Sequence, residues 1–306
     1  MTALALVLAI IAGPAIAEGF GRTDLLQAVT RDGKTGTIVA VGLRGVIGVS
    51  RDDGGTWQRH DLTDRTGGLR PALLDVTTCP DGGFAALDGR GHVFTSSDAG
   101  TSWAMHALES PEPPQAVTCD AAGRLWVVGG FSTILVSDDG GKSWQDRSIG
   151  EDLILTAIQF PEADRGYALG EFGSVYATTD GGESWTAQPP IPGEFYPQAA
   201  LFTDAAHGWV VGLDGAVMHT ADGGQSWTKQ PSGTQVGLFG LAAMPGGRVV
   251  AVGDRATVLS IDGKDWTPAQ APQAGAPFLT GAVATGPDTI LAAGAAGTLT
   301  QIRLTP

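Results

Sequence analysis

Short apolar runs recur along this chain with polar turns between them. A first set, rich in β-formers, covers residues 25–30, 73–78, 116–118, 154–160, 199–202 and 238–243. A second set, mostly ending at Gly, covers 38–42, 84–87, 125–129, 167–170, 209–212 and 249–253. After a short turn a third set follows at 46–50, 92–96, 133–137, 174–178, 216–220 and 257–260. Short β-rich runs separated by Gly-bearing turns predict strands. Each third run leads into one polar box ending in Trp. It reads Ser50-Arg51-Asp52-Asp53-Gly54-Gly55-Thr56-Trp57 at first and, for example, Ser137-Asp138-Asp139-Gly140-Gly141-Lys142-Ser143-Trp144 later. The box Trp residues are Trp57, Trp103, Trp144, Trp185, Trp227 and, in a copy one residue short, Trp266.

Their spacings of 46, 41, 41, 42 and 39 residues mark repeated supersecondary units. Each unit is predicted to have four strands, A to D from inside outward, with the box as the C–D hairpin turn. A seventh unit at 278–285, 289–294 and 298–303 has no box and stops after strand C. The predicted fold is all-β: a seven-bladed β-propeller of four-stranded antiparallel blades, in one domain over residues 18–306. Ring closure removes open sheet edges. Residues 19–23 are expected to supply the missing strand D and tie the N-terminus to the last blade.

The box has a local structural role. Its Asp accepts hydrogen bonds from turn amides, its Gly supplies positive φ, and its Trp covers apolar area at the blade edge. Asp52, Asp98, Asp139, Asp180, Asp222 and Asp262 are therefore read as structural. A calcium loop needs a carboxylate at its twelfth position, which the boxes do not place consistently. No metal or other cofactor is expected.

Composition narrows the function classes. With 42% hydrophobic and 16% charged residues the chain is not disordered. Its 46 glycines follow no collagen period. A net charge of −14 argues against binding nucleic acid or anionic lipid by phosphate neutralisation. Residues 3–12 form an apolar run broken by Gly13-Pro14, and Ala15-Ile16-Ala17 supplies small residues. Residues 1–17 are read as a secretory signal peptide cleaved after Ala17, although the start lacks Lys or Arg. No other stretch is long and apolar enough to span a bilayer. The mature chain is expected to be exported to a periplasm and to act as a monomer. Cys79 and Cys119 fall at near-equivalent places in neighbouring units. A disulfide between them is open if their Cα atoms come within about 7 Å; two packed small residues are the alternative.

The boxes resemble the Asp-box, or bacterial neuraminidase repeat. The fuller unit, as at residues 42–57, resembles the photosystem II assembly and stability factor family over about residues 25–304. The resemblance implies a seven-bladed propeller in the thylakoid lumen or in related exported bacterial proteins. It also implies a non-catalytic factor that holds a membrane protein, or its assembly intermediate, through an arginine-rich surface. At the B–C turn position before the second Gly, this chain has Arg44, Arg90 and Arg255, which would form one arc of the ring. The other units have Phe131, Phe172, Asp214 and Ala296 there. The opposite arc carries Phe131, Glu171, Phe172, Glu194, Phe195, Tyr196 and Asp214. The expected partner-binding residues are Arg44, Arg90, Arg255, Phe131, Phe172, Phe195 and Tyr196.

A sialidase-like enzyme would need three converging arginines, a Tyr–Glu pair and an acidic Asp. The expected Phe-Arg-Ile-Pro type segment is absent. Of the three tyrosines, Tyr167 and Tyr176 fall in predicted strands without a poised Glu. His60, His92, His106, His207 and His219 are scattered and form no ligand set. A glycan-binding or glycan-cleaving propeller is the alternative reading, and an accessory protein of an envelope transporter system is another.

Overall fold

The computed structural model describes residues 18–63, 70–193, 195–261, 265–270 and 276–304. Residues 1–17, expected to be a signal peptide, and Glu194 and Asp262 lie outside the described residues. The fold is a seven-bladed β-propeller: seven antiparallel sheets, six of four strands and one of three. Blade 1 comprises strands A to D at Leu26–Arg31, Ile38–Gly42, Val46–Ser50 and Gln58–Asp61. Strand A of the following blades is Leu73–Thr78, Pro114–Cys119, Leu155–Gln159, Ala199–Phe202, Leu238–Ala243 and Leu279–Gly286. Each strand A packs beside the next, and that of blade 7 returns to that of blade 1, closing the ring around a central bore.

The core is a set of seven slabs between blades. Strand B of blade 1 shows how period-2 alternation builds them. Ile38 and Ala40 point into a cluster with Leu291, Ala293 and Leu299 of blade 7. Val39 and Val41 point the other way, against Leu73, Val76 and Phe84 of blade 2. Both faces of strand B are buried, so it reads as an unbroken apolar run rather than an alternating one. Each box Trp joins the slab shared with the preceding blade, as Trp57 does with blade 7 and Trp103 with blade 1. Trp is thus mortar between blades rather than a cover at the blade edge.

In the boxes, the Asp carboxylate closes the hairpin. Asp52 accepts from the Thr56 amide at 2.8 Å and hydroxyl at 2.7 Å, while Ser50 Oγ accepts from the Gly54 amide at 2.8 Å. Asp98, Asp139, Asp180 and Asp222 repeat the pattern with Ser102, Ser143, Ser184 and Ser226. The Ser102 hydroxyl and amide hold the Asp98 carboxyl down at about 2.

The expected strand at residues 19–23 is corrected. Blade 7 has three strands among the described residues, ending with Leu299–Arg303. Residues 21–24 instead make a turn: the Asp24 amide donates to the Gly21 carbonyl at 2.9 Å, and the Gly21 amide to the Asp24 carboxylate at 2.8 Å. Those bonds take the Gly21 amide and carbonyl away from any ladder. Phe20 still seals the junction, packed with Leu291, Leu299 and Trp57.

Candidate functional site

The B–C turns and the D–A loops share one face of the ring. Six of the seven B–C turns are single 3-10 turns with the same backbone. Strand B ends on Gly because its Cα lies against the chain entering strand A. A Cβ on Gly42 would stand 2.1 Å from the Leu25 carbonyl oxygen, and one on Gly294 2.2 Å from that of Phe278. Two residues later the chain enters the left-handed region, where L side chains cost on the order of 1–2 kcal/mol. The residues there are Arg44 (φ 62°), Phe131 (52°), Phe172 (58°), Asp214 (54°), Arg255 (53°) and Ala296 (58°). Glycine would fit this position at lowest cost and is used in none of these turns. Blade 2 differs: Asp88 accepts from the amides of Arg90 and His92, both at 2.9 Å, and Gly91 takes the positive φ.

The three expected arginines have different surroundings. Arg44 is exposed yet bonded to Thr23 at 3.0 Å and Asp24 at 3.4 Å. Arg255 is exposed, with Asp254 at 3.8 Å from its guanidinium. Arg90 is exposed. Structure adds two arginines that the turn pattern misses, because they lie on strand D and in a D–A loop. Arg59 grips Asp24 at 2.6 Å and Asp61 at 2.9 Å, and Arg70 holds Asp61 at 2.9 Å. Burial pushes the Asp24 carboxyl up, but the bonds from Arg59, the Gly21 amide and Arg44 outweigh it and leave the group below its ordinary range. This part of the face, at blades 1 and 2, is rich in arginine, with Arg44, Arg59 and Arg70 paired to Asp24 or Asp61.

Blades 3 to 5 differ in chemistry. The exposed large apolar side chains are Phe131, Phe172, Leu213 and Tyr196, all on this stretch. Leu213 was not among the expected residues; it sits one place before Asp214 in the blade 5 turn. Phe195 is a correction. It is 9% exposed and packs with Ile191, Phe202 and Val210 between blades 4 and 5, so it offers no surface to a partner. Its ring occupies the space that a side chain on Gly212 would need, 2.9 Å from that Cβ position. Adjacent Tyr196 faces outward. Its phenol is pushed up by burial and, to a lesser degree, by the charge of Glu171 in the blade 4 turn. Glu171 accepts from the Ile154 amide at 2.9 Å, and Glu151 from the Tyr176 hydroxyl at 2.8 Å.

Between blades 2 and 3 a groove of about 660 Å³ opens at the rim, lined by Leu108, Phe131, Leu135 and Trp144, by the carboxylates Glu109, Glu112 and Asp146, and by Lys142. The central bore, about 360 Å³, is lined by strand A residues of every blade. Asp75 is the charged residue lining it. By strand register its place is taken by Ala28, Ala116, Ala157, Ala199, Gly240 and Gly281 elsewhere. Burial drives the Asp75 carboxyl up to about 6, against the bonds it accepts from the Val117 and Val76 amides. The Val117 bond, at 2.9 Å, crosses from blade 2 to blade 3. Cys79 and Cys119 are joined as a disulfide between the same two blades, with Cα atoms 5.2 Å apart. Among the described residues no three His, Cys, Asp or Glu gather as a metal site, and no helix is long and apolar enough to cross a membrane.

Residues 115–177, within blades 3 and 4, match the family profile described as photosynthesis system II assembly factor YCF48. Among solved structures, YCF48 bound to D1 peptide aligns at 18% identity and TM-score 0.74, over 93% of this chain and 95% of that one. YCF48 from Cyanidioschyzon merolae aligns at 19% identity and TM-score 0.76, over 94% and 98%. A catalytically inactive virginiamycin B lyase from Staphylococcus aureus with quinupristin shares the fold at 13% identity and TM-score 0.76, over 93% and 96%. No curated protein matches the chain. The chain is thus a seven-bladed propeller that resembles the photosystem II assembly factor family.

Proposed function

We propose that this chain is an exported, non-catalytic propeller that binds a protein segment on its B–C face and assists assembly of a membrane protein complex. The observation that carries the reading is the set of side chains held at left-handed turn positions. Arg44, Phe131, Phe172 and Arg255 are large, project from the face, and occupy sites where Gly would be less strained. Backbone strain retained at a surface points to a use for the side chain. Exposed aromatics and arginines are also the residue types enriched at interfaces. A protein partner is consistent with the related YCF48 fold having been solved with a D1 peptide.

The non-catalytic reading rests on the state of the carboxylates. Glu151 and Glu171 are engaged by a Tyr hydroxyl and a backbone amide, and the box aspartates by their own hairpins. The boxes themselves fit the Asp-box pattern. Affinity purification from detergent-solubilised membranes of the native host tests the reading. A membrane protein recovered with the wild-type chain and lost with Arg44→Glu/Arg90→Glu/Arg255→Glu supports it. Unchanged recovery refutes a role for the basic arc, and sequencing the mature N-terminus at residue 18 checks export.

A further inference from the structure

The B–C face is two-sided in charge, and its second side has its own ligand chemistry. Glu109, Glu112, Glu151, Asp152, Glu171 and Asp214 stand in the loops and turns of blades 3 to 5. Of the bases nearby, Arg147 bonds Glu183 in the box of blade 4 at 3.1 Å, and Lys142 of the blade 3 box lines the groove between blades 2 and 3, where Glu109, Glu112 and Asp146 outnumber it. The bonds to Glu151 and Glu171 come from neutral donors, so their charges stay uncompensated. On this acidic ground stand the exposed apolar side chains Phe131, Phe172, Leu213 and Tyr196. The Ser132 amide beside Phe131 bonds the Leu153 carbonyl at 2.7 Å, and the Glu171 amide beside Phe172 bonds that of Ile154 at 2.9 Å. The Tyr196 carbonyl lies close to Gly212, next to Leu213.

We infer that this crescent docks an extended segment of a protein partner in which apolar side chains alternate with Lys or Arg, one basic side chain entering the groove between blades 2 and 3. The inference rests on the protein-binding reading above and names the chemistry of that partner. Apolar residues of the segment cover Phe172, Leu213 and Tyr196. The aliphatic stem of the basic residue lies along Phe131 and Trp144, and its charged head meets Glu109 and Glu112 of the groove lining. Glu109 is itself held at φ 54°, a strained position in that lining. Charge complementarity selects this occupant. A second copy, carrying −14, would bring like charge against the acidic rim.

Fluorescence anisotropy with the full mature chain tests this with three labelled 12-residue synthetic peptides: alternating Lys and Phe, the same with Glu for Lys, and a Ser-rich control. The Lys–Phe peptide is expected to bind alone, with affinity falling as salt rises. Glu109→Gln/Glu112→Gln and Phe131→Gly should each weaken it about tenfold, while Gln225→Ala, in an exposed box position on the opposite face, leaves it intact. Equal binding of the Glu peptide, indifference to those substitutions, or concentration-dependent self-association through Phe131 and Phe172 would overturn the inference. If the Lys–Phe peptide fails while a membrane protein is still recovered with the chain, only this inference falls. If the peptide binds and no membrane protein is recovered, the assembly reading falls instead.

Discussion

The amide of Gly297 donates to the carbonyl of Asp24 at 2.8 Å. Elsewhere the same bond runs from the end of one blade's B–C turn to the residue two before strand A of the next blade. It is seen from Gly45 to Pro71, Ser132 to Leu153 and Ala256 to Pro277. The ring therefore closes with the joint used between its other blades. Asp24 is 3% exposed and also holds Arg59 and the Gly21 amide. Asp24→Ala should cost about 1–2 kcal/mol, since the Gly21 amide loses its partner and Arg59 keeps only Asp61 and the Gly19 carbonyl. Urea unfolding of the mature chain measures this, and deletion of residues 18–24 should cost more.

Replacing a left-handed tip residue by Gly should separate stability from binding. Phe131→Gly and Phe172→Gly remove backbone strain and lose little packing, because both rings are at least half exposed. The melting temperature should hold or rise, by up to about 1 kcal/mol in stability, while partner binding falls. Calorimetry beside the pull-down reads both. A clear drop in melting temperature would mean that these rings serve the fold.

Gly42→Ala and Gly294→Ala should be severe. The added methyl meets backbone oxygen at 2.1 and 2.2 Å, and backbone there is fixed by strand pairing. A loss of about 3 kcal/mol or more is expected. Gly91→Ala, with open space around it, should cost only the strain of its positive φ.

Stability should depend on pH in two opposed ways. The folded Asp98 and Asp180 carboxyls titrate near 2, below an unfolded value near 4, so their contribution is present above about pH 4 and is lost as pH falls toward 2. Asp75 titrates near 6 in the fold, above its unfolded value. The native state binds more protons between about pH 4 and 6, so this group's contribution is full below that window and declines as pH rises through it. Asp75→Ala, which copies the residue type of the other blades, should abolish that decline in melting curves taken from pH 4 to 7.

The Cys79–Cys119 bridge closes a loop of separation 40 between blades 2 and 3. Cys79→Ser/Cys119→Ser should lower stability by about 2–4 kcal/mol without opening the ring, since the Val117–Asp75 bond and the interblade slab remain. Denaturation with and without reductant checks it.

The repeat was legible because its parts are local. A hairpin that needs Ser, Asp, Gly and Trp at fixed offsets writes those residues into the sequence each time, and Trp57 to Trp266 count the blades. The face was legible only in part. Arg44, Phe131 and Phe172 could be aligned because their turn is repeated, and all three project from it. The Phe195–Tyr196 pair lies in an irregular loop, where Gly212, distant in sequence, decides which ring turns inward. Arg59 and Arg70 gain their place from Asp24 and Asp61, contacts that no periodicity carries. Blade 7 was expected to borrow a strand, and the Asp24 side chain diverts that segment into a turn.

Site-specific photocrosslinking in the native host tests the central claim most directly. A photoreactive residue replaces Phe172 on the B–C face in one variant and Gln225, exposed in a box on the opposite face, in another. The account predicts a membrane-protein adduct from position 172 and none from 225. An adduct from 225 alone, or equal adducts from both, would contradict it.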